Sequence, residues 1–310
     1  MINNGTIKLP RLDKRTPIWD LNDLKERNCP FCRAKGRACY ERPDGLTANL
    51  CSQCGSIYVA PIPSSDALNY FYERYSETYR IHAALNKKMA RRTLQTDPLS
   101  DFRVVEISSV MNICGKRVLD IGCGSGEDLV KFKKLGAIVE GFDIDKHAVH
   151  FAQHALGLEN VAHRNVEDFE MAPIYDVVLM MDLVEHLADP LTVLRKISDS
   201  LVEPGLLAIW TPNASFVQQL NDTTVLQFDL EHMQYLTFRT CRYLADVLDL
   251  ELAHLESVGF ADLAERRFAS SSQKALLSTW RRILSNVRNP QDMRLGRYHL
   301  FCIFANTRRK

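Results

Sequence analysis

From Arg117 onward, short apolar runs alternate with longer amphipathic ones. The runs "RVLDIG", "IVEGFDID", "VAHRNV", "YDVVLMMD" and "GLLAIWTPN" are rich in Val, Ile and Leu and read as strands buried on both faces. Between them, "GEDLVKFKKLG", "KHAVHFAQHALG" and "PLTVLRKISDSLV" have the look of helices. Strand and helix in this rhythm predict a parallel sheet covered on both sides, a doubly wound α/β domain. The tail adds a helix around "RTCRYLADVLDL", a strand near "ELAHLESVG" and a last apolar run, "YHLFCIFAN".

Upstream the pattern is different. "SIYVAPIPSSDALNYFYERYSETYR" passes from a Pro-rich linker into an aromatic, helical segment with Ser64 or Ser65 as N-cap, and polar helix continues to about Ser109. Tyr72, Tyr75 and Tyr79 on that segment are candidates for the wall of an acceptor cleft, or else core. A basic amphipathic helix, "QKALLSTWRRILSNVR", interrupts the tail, with Leu276, Leu277, Trp280, Ile283, Leu284 and Val287 on one face and Lys274, Arg281, Arg282 and Arg288 mostly elsewhere. It would pack on the sheet or a second subunit, lie peripherally on an anionic membrane, or grip a phosphorylated substrate. The divisions are 1–60, 61–112 (a linker or lid), 113–215 and 216–310.

Composition narrows the setting. A chain of 310 residues, 46% hydrophobic, can fill one large core with appendages. It has no apolar run of about eighteen residues, and "MINNGTIKLPRLDKR" lacks a leader pattern, so a cytoplasmic protein is expected. A net charge of +1 gives no global field for wrapping nucleic acid, and a small-molecule or glycan acceptor is the expected partner. The oligomeric state stays open.

Four of the nine cysteines stand apart. Cys29 and Cys32, then Cys51 and Cys54, form two C-x-x-C pairs about twenty residues apart, a spacing that aims four thiolates at one zinc ion. The intervening "ERPDGLTANL" suits the hairpin of a zinc ribbon. Four sulfurs leave no open coordination position, so the zinc is expected to be structural.

"VLDIGCGSGEDL" puts Gly122, Gly124 and Gly126 between a strand and a helix, where a ligand can approach the backbone closely. Glu127 stands where a dinucleotide fingerprint wants its last glycine, which disfavours a pyrophosphate. Asp143, about twenty residues on at the end of the next strand, can accept hydrogen bonds from both hydroxyls of a ribose.

These segments resemble the class I S-adenosylmethionine-dependent methyltransferases, closely so from Gly115 to Asn213. The resemblance implies a seven-stranded, Rossmann-like sheet, with Asp120 and the backbone of Gly122, Gly124 and Gly126 at the methionine end of S-adenosylmethionine. It puts Asp143 on the ribose, Asn165 and Val166 at the adenine, and Met180 beside the cofactor.

Two histidines are candidate bases for a hydroxyl acceptor, His186 in "VEHL" and His232. "LQFDLEHMQYLTFRTC" resembles the acceptor-side motif of sugar and glycan methyltransferases that carry an N-terminal zinc ribbon, so Glu231 and His232 match that family's Glu-His pair. Asp229 replaces the tyrosine of the sugar C-methyltransferases, which tilts the expectation to O-methylation of a sugar or surface-glycan precursor, nucleotide- or lipid-linked. Four alternatives stay open: a sugar C-methyltransferase; a ribosomal RNA methyltransferase gripping RNA with Lys25, Arg27, Arg33, Lys35 and Arg37; a quinone or phenol O-methyltransferase; and a non-catalytic cofactor-binding protein.

Overall fold

The computed structural model describes residues 2–3, 6–12, 15–78, 85–170, 174–259 and 298–307. The basic helix read at 274–288 and Tyr79 lie outside the described residues. Seven short strands come first: β1 (Ile2–Asn3), β2 (Thr6–Lys8), β3 (Leu24–Lys25), β4 (Arg37–Glu41), β5 (Thr47–Leu50), β6 (Ile57–Val59) and β7 (Ile62–Pro63). Helices α1 (Ser65–Tyr72), α2 (Tyr75–Thr78), α3 (Lys87–Gln95) and α4 (Phe102–Val110) follow. Ser64 is the N-cap of α1, its hydroxyl accepting from the Ala67 N–H. The polar helix expected up to Ser109 is broken, because Asp97 caps a short turn at Pro98–Ser100 and Asp101 caps α4 afresh.

The expected alternation then appears as β8 (Arg117–Ile121), α5 (Glu127–Lys134), β9 (Ile138–Asp143), α6 (Lys146–Leu156), β10 (Val161–His163), β11 (Tyr175–Met181), α7 (Pro190–Ser200) and β12 (Leu201–Pro212). The chain ends with α8 (Ser215–Leu220), β13 (Gln234–Tyr235), α9 (Phe238–Leu248), β14 (Glu251–Val258) and β15 (His299–Asn306). The larger sheet has seven strands in the order β10-β9-β8-β11-β12-β15-β14. It is parallel from β10 to β12, and β15 runs antiparallel to both of its neighbours. Strand order reverses between β8 and β11, the switch point where open α/β sheets bind ligands. Leu201 and Val202 belong to β12 rather than to the preceding helix, because Asn306 holds both of their carbonyls with its side-chain amide.

Alternate residues of β11 pack on opposite faces: Val178 and Met180 toward α7 and α9, Val177 and Leu179 toward α5 and α6. The cluster on the first face also contains Cys29, Phe31, Cys51, Cys54 and Tyr58, so the ribbon's knuckles share a core with the large sheet. The ribbon's own sheet, β1-β2-β4-β5-β6-β13, takes its last strand from far down the chain. Gln234 pairs with Tyr58 and Tyr235 with Ile57. Ile57–Val59, read in sequence as the start of a linker, is therefore an interior strand, and the "EHMQY" segment is its neighbour.

Candidate active site

The four knuckle cysteines put their sulfurs within 4.8 Å of one another, with Cys29 3.5 Å from Cys54 and Cys32 3.3 Å from Cys51. Ser56 Oγ touches Cys29 and Cys54 at 3.2 and 3.3 Å. Burial pushes the Cys32 thiol up to about 11, and the contact with Cys29 pushes Cys54 up as well. A set of sulfurs that cannot all ionise alone is the donor set a dication satisfies, so these residues fit zinc. The ribbon's basic residues are largely engaged at home. Arg33 pairs with Asp189 at 2.6 Å, Lys25 with Asp23 at 2.9 Å, and Arg27 donates to the carbonyls of Val59, Ala188 and Met233. Of the five, Lys35 and Arg37 alone have neither an ion pair nor a side-chain hydrogen bond among the described residues, a thin footing for RNA.

A cavity of about 250 Å³ opens at the switch point. One side is the glycine turn with Asp143, Ile144, Asp145, Asn165 and Val166; the other carries Tyr72 and Tyr75 from α1 and α2, with Leu183, His186 and Leu187 from the loop after β11. Gly124 has a φ of +51° and nothing within 4 Å of where a Cβ would stand, so ligand can come close to its backbone. Gly126 does something else. A Cβ there would meet Leu158 Cδ1 at 2.4 Å, so this glycine lets α5 start close against its neighbours and does not line the cavity. Asp143 accepts from the Gly124 N–H and the Asp145 N–H, both at 2.7 Å, which ties the turn to β9 while its carboxylate still borders the cavity. Burial raises its pKa.

Two further residues expected at the cofactor do not line the cavity itself. Met180 is fully buried in the sheet core and is not among the residues that line the cavity. Asp120 lies beneath the glycine turn, 2% exposed and outside the cavity lining, and its Oδ1 has no hydrogen-bond partner. Burial and the nearby Asp128 carboxylate push it well above the usual carboxyl range. Asn165 borders the cavity, but its side-chain oxygen already accepts the Glu167 N–H at 3.0 Å. A second lone pair remains for an adenine amino group. An orphaned buried carboxyl oxygen, a bare glycine backbone and a carboxylate at the strand end together suit the cationic methionine end and the ribose of S-adenosylmethionine.

Opposite the glycine turn lies a hydrogen-bonded knot that the sequence pattern did not show. Tyr72 Oη lies 2.7 Å from His186 Nδ1 and donates to the backbone carbonyl of Glu231 at 2.8 Å. Tyr75 Oη donates to Glu231 Oε1 at 2.7 Å. A phenol has one proton, so if Tyr72 gives it to the Glu231 carbonyl, His186 must donate through Nδ1–H, and its lone pair falls on Nε2. Glu231 and His232 are 0% and 3% exposed and do not line the cavity. The His232 ring lies 4.8 Å from that of His186, centroid to centroid, and of the two candidate bases His186 is the one that lines the cavity. Glu185, His186 and His232 each bring one ligand-type atom within 4.8 Å of the others, a set that could share a proton or be bridged by a cation. Asp229, at the position of the C-methyltransferase tyrosine, is held by Arg15 and Tyr298 instead.

Residues 86–255, more than half of the chain, match the family model described as a methyltransferase domain. The ubiquinone biosynthesis O-methyltransferase of Vibrio vulnificus (strain YJ016) is 39% identical over 105 residues, 32% of this chain and 44% of that protein. The protein of the same name from Vibrio parahaemolyticus serotype O3:K6 is 36% identical over 118 residues, 35% of this chain and 50% of that one. The chain thus spans about half the length of the curated relatives it matches. Magnesium protoporphyrin IX methyltransferase from Synechocystis PCC 6803, solved with bound SAH, superposes with a TM-score of 0.47 at 14% identity over 77% of this chain and 99% of that one. With a switch-point cavity built on this glycine turn and a family model matched over most of the sheet, the chain belongs to the methyltransferase domain family, as a class I S-adenosylmethionine-dependent methyltransferase.

Proposed function

We propose that the protein methylates a hydroxyl of a phenolic or quinol-type small molecule, with His186 as the general base. The observation that carries this is the acceptor wall: two tyrosines and an imidazole among leucines, with Nε2 left as the proton acceptor by the Tyr72 contact. A flat aromatic acceptor gains from stacking and apolar burial in such a slot, whereas a sugar needs a polar partner for most of its hydroxyls. The O-methyltransferase relatives named for ubiquinone biosynthesis support the same acceptor class. The sugar or glycan expectation rested on Glu231 and His232, and neither borders the cavity.

When bound, S-adenosylmethionine supplies an electrophilic methyl on a sulfonium. The chain's part is to hold the acceptor oxygen in line with that methyl, exclude water and remove the hydroxyl proton. Asp143 and the glycine turn fix one partner, while Tyr72, Tyr75 and Leu183 confine the other. His186 takes the proton on Nε2 while its Nδ1–H stays on Tyr72. Buried Glu231 holds the Tyr75 hydroxyl with its carboxyl and so fixes that ring in the wall.

The test is a panel of catechols and hydroquinones, with and without apolar tails, beside nucleotide sugars and RNA, read by SAH formation and product mass. Methylation of phenols is expected, and His186→Gln should lower kcat by about 100-fold or more with SAH affinity unchanged. Turnover confined to sugars or RNA would refute the reading. SAH binding with no turnover on any acceptor would favour a non-catalytic cofactor-binding protein.

A further inference from the structure

The ribbon's hairpin turn reaches the acceptor side through one residue. Pro43 and Asp44 form the turn between β4 and β5, and Gly45, at φ +86°, closes it with its N–H on the Arg42 carbonyl at 3.0 Å. This geometry buries the Arg42 side chain, which is 1% exposed. Its guanidinium spends every donor. Nε and one terminal nitrogen grip the two oxygens of Asp44, and the remaining N–H groups go to the carbonyls of Leu230 and His232 and to Tyr235 Oη. Leu230 and His232 flank Glu231, and the Glu231 carbonyl between them takes the Tyr72 proton. Three consecutive carbonyls are thus held from two sides, the outer pair by the ribbon and the middle one by the lid helix α1.

We propose that Arg42 is a positioning residue for the methyl-transfer site: by fixing the carbonyls on either side of Glu231, it aims the Glu231 carbonyl at Tyr72 and so sets which nitrogen of His186 carries the proton. The chain of contacts runs from the zinc knuckles through the β4–β5 hairpin to Arg42, then Glu231, Tyr72 and His186. The ribbon is then more than a wall, because its metal-stapled hairpin selects the tautomer that can act as base. If the Glu231 carbonyl swung away, Tyr72 would give its proton to His186 Nδ1, and Nε2 would carry the hydrogen, leaving nothing to accept one from the acceptor. Lysine cannot reproduce this. Its ammonium has three donors and no fork, so it can hold one carbonyl and Asp44 but not all five contacts.

This inference rests on His186 facing the acceptor, and its decisive measurements are chosen to need no acceptor. Full-length protein labelled with [15N]histidine, with His186 assigned through a His186→Gln sample, is compared with Arg42→Met, Arg42→Lys and the double variant Arg42→Met/Asp44→Leu, which leaves no orphaned buried carboxylate. Zinc content, SAH affinity, and amide exchange at 229–235 and at 122–126 are read for each. In the wild type, Nε2 of His186 should resonate as an unprotonated nitrogen. In the Met and double variants zinc should stay at one per chain and SAH affinity within about threefold, while Nε2 moves toward the protonated position and amides 229–235 exchange about tenfold faster than before. Lysine should fall between. With catechol as probe, kcat should drop about tenfold at unchanged KM for the cofactor. A zinc-loaded double variant with the wild-type tautomer would overturn the proposal, and so would acceleration spread equally over 122–126, which marks a merely structural role. Should phenols prove not to be acceptors, the tautomer and exchange results still decide the role of Arg42.

Discussion

The two sides of the cavity are built by opposite strategies. The cofactor side comes from neighbouring turns of one strand–helix repeat, Gly122 to Val166, joined by bonds such as Gly124 to Asp143 across nineteen positions. The acceptor side comes from four distant pieces: the ribbon hairpin, α1 and α2, the loop after β11, and the segment leading into β13. Its bonds span 114 positions from Tyr72 to His186, 156 from Tyr75 to Glu231 and 190 from Arg42 to His232. Chain connectivity holds the first side together, whereas the second holds only while separate elements stay docked. The first should therefore survive damage that erases the second.

Emptying the four-cysteine site, whose donors fit zinc, should give the largest effect. Structural zinc contributes about 10–16 kcal/mol to the folding of small zinc modules, as much as the whole stability of many domains. A chelator, or Cys54→Ser, should open the ribbon sheet, free β13 and abolish turnover. SAH binding, followed by calorimetry, should stay within about tenfold, because no cysteine of the knuckles borders the cofactor half of the cavity. Equal loss of binding and turnover would erase the distinction between the two sides. Asp143→Ala is the mirror experiment. It removes a carboxylate that ties the glycine turn and borders the cavity, so SAH affinity should fall about 100-fold with zinc content unchanged.

The same contrast explains what the sequence made legible. The glycine turn, Asp143, and the four cysteines were readable because their chemistry lies in fixed short spacings, which local turns convert into geometry. Met180 was read as a cofactor contact, yet it is closed inside the sheet core, and how deep a residue of an all-apolar strand lies is set by packing that the run itself does not show. Gly126 was read as a ligand contact, yet its neighbour is Leu158, a packing partner that no spacing announces. Glu231 and His232 were recognised as a pair, but which of two histidines borders the cavity depends on how α1 and the ribbon dock. Arg42, in a stretch that read as a plain hairpin turn, carried no signal at all. Only its burial reveals it, since a buried guanidinium must find all its partners.

A smaller effect probes the acceptor knot itself. Tyr75→Phe removes the donor to Glu231 Oε1 and leaves the ring in the wall. Losing one hydrogen bond to a buried carboxylate is worth about 1.5–3 kcal/mol, so kcat should fall roughly 10- to 100-fold, with SAH affinity and zinc content as in the wild type. If SAH affinity fell instead, Tyr75 would belong to the cofactor side, and the boundary drawn through the cavity would have to move.

The smallest expected effect lies beneath the glycine turn and runs in two directions with pH. Burial and Asp128 raise the Asp120 carboxyl above its unfolded value of about 3.9. The cofactor-free folded state then keeps a proton that the unfolded chain has already released. This contribution is complete below the unfolded pKa and is lost as pH rises through the folded one. Asp120→Asn keeps a neutral polar group of the same shape and removes the titration. The stability difference, variant minus wild type, should grow with pH by up to ~1.4 kcal/mol per unit, a Tm change of about 2–4 °C per unit in a chain of this size. Cofactor affinity should do the reverse. An ammonium beside the orphaned Oδ1 favours the ionised carboxyl, so wild-type affinity for S-adenosylmethionine should rise with pH over the window in which stability falls, and the Asn variant should show neither slope. Comparing both proteins by thermal melts and calorimetry from pH 5 to 9 checks this, and parallel slopes in the two would place the methionine end of the cofactor away from Asp120.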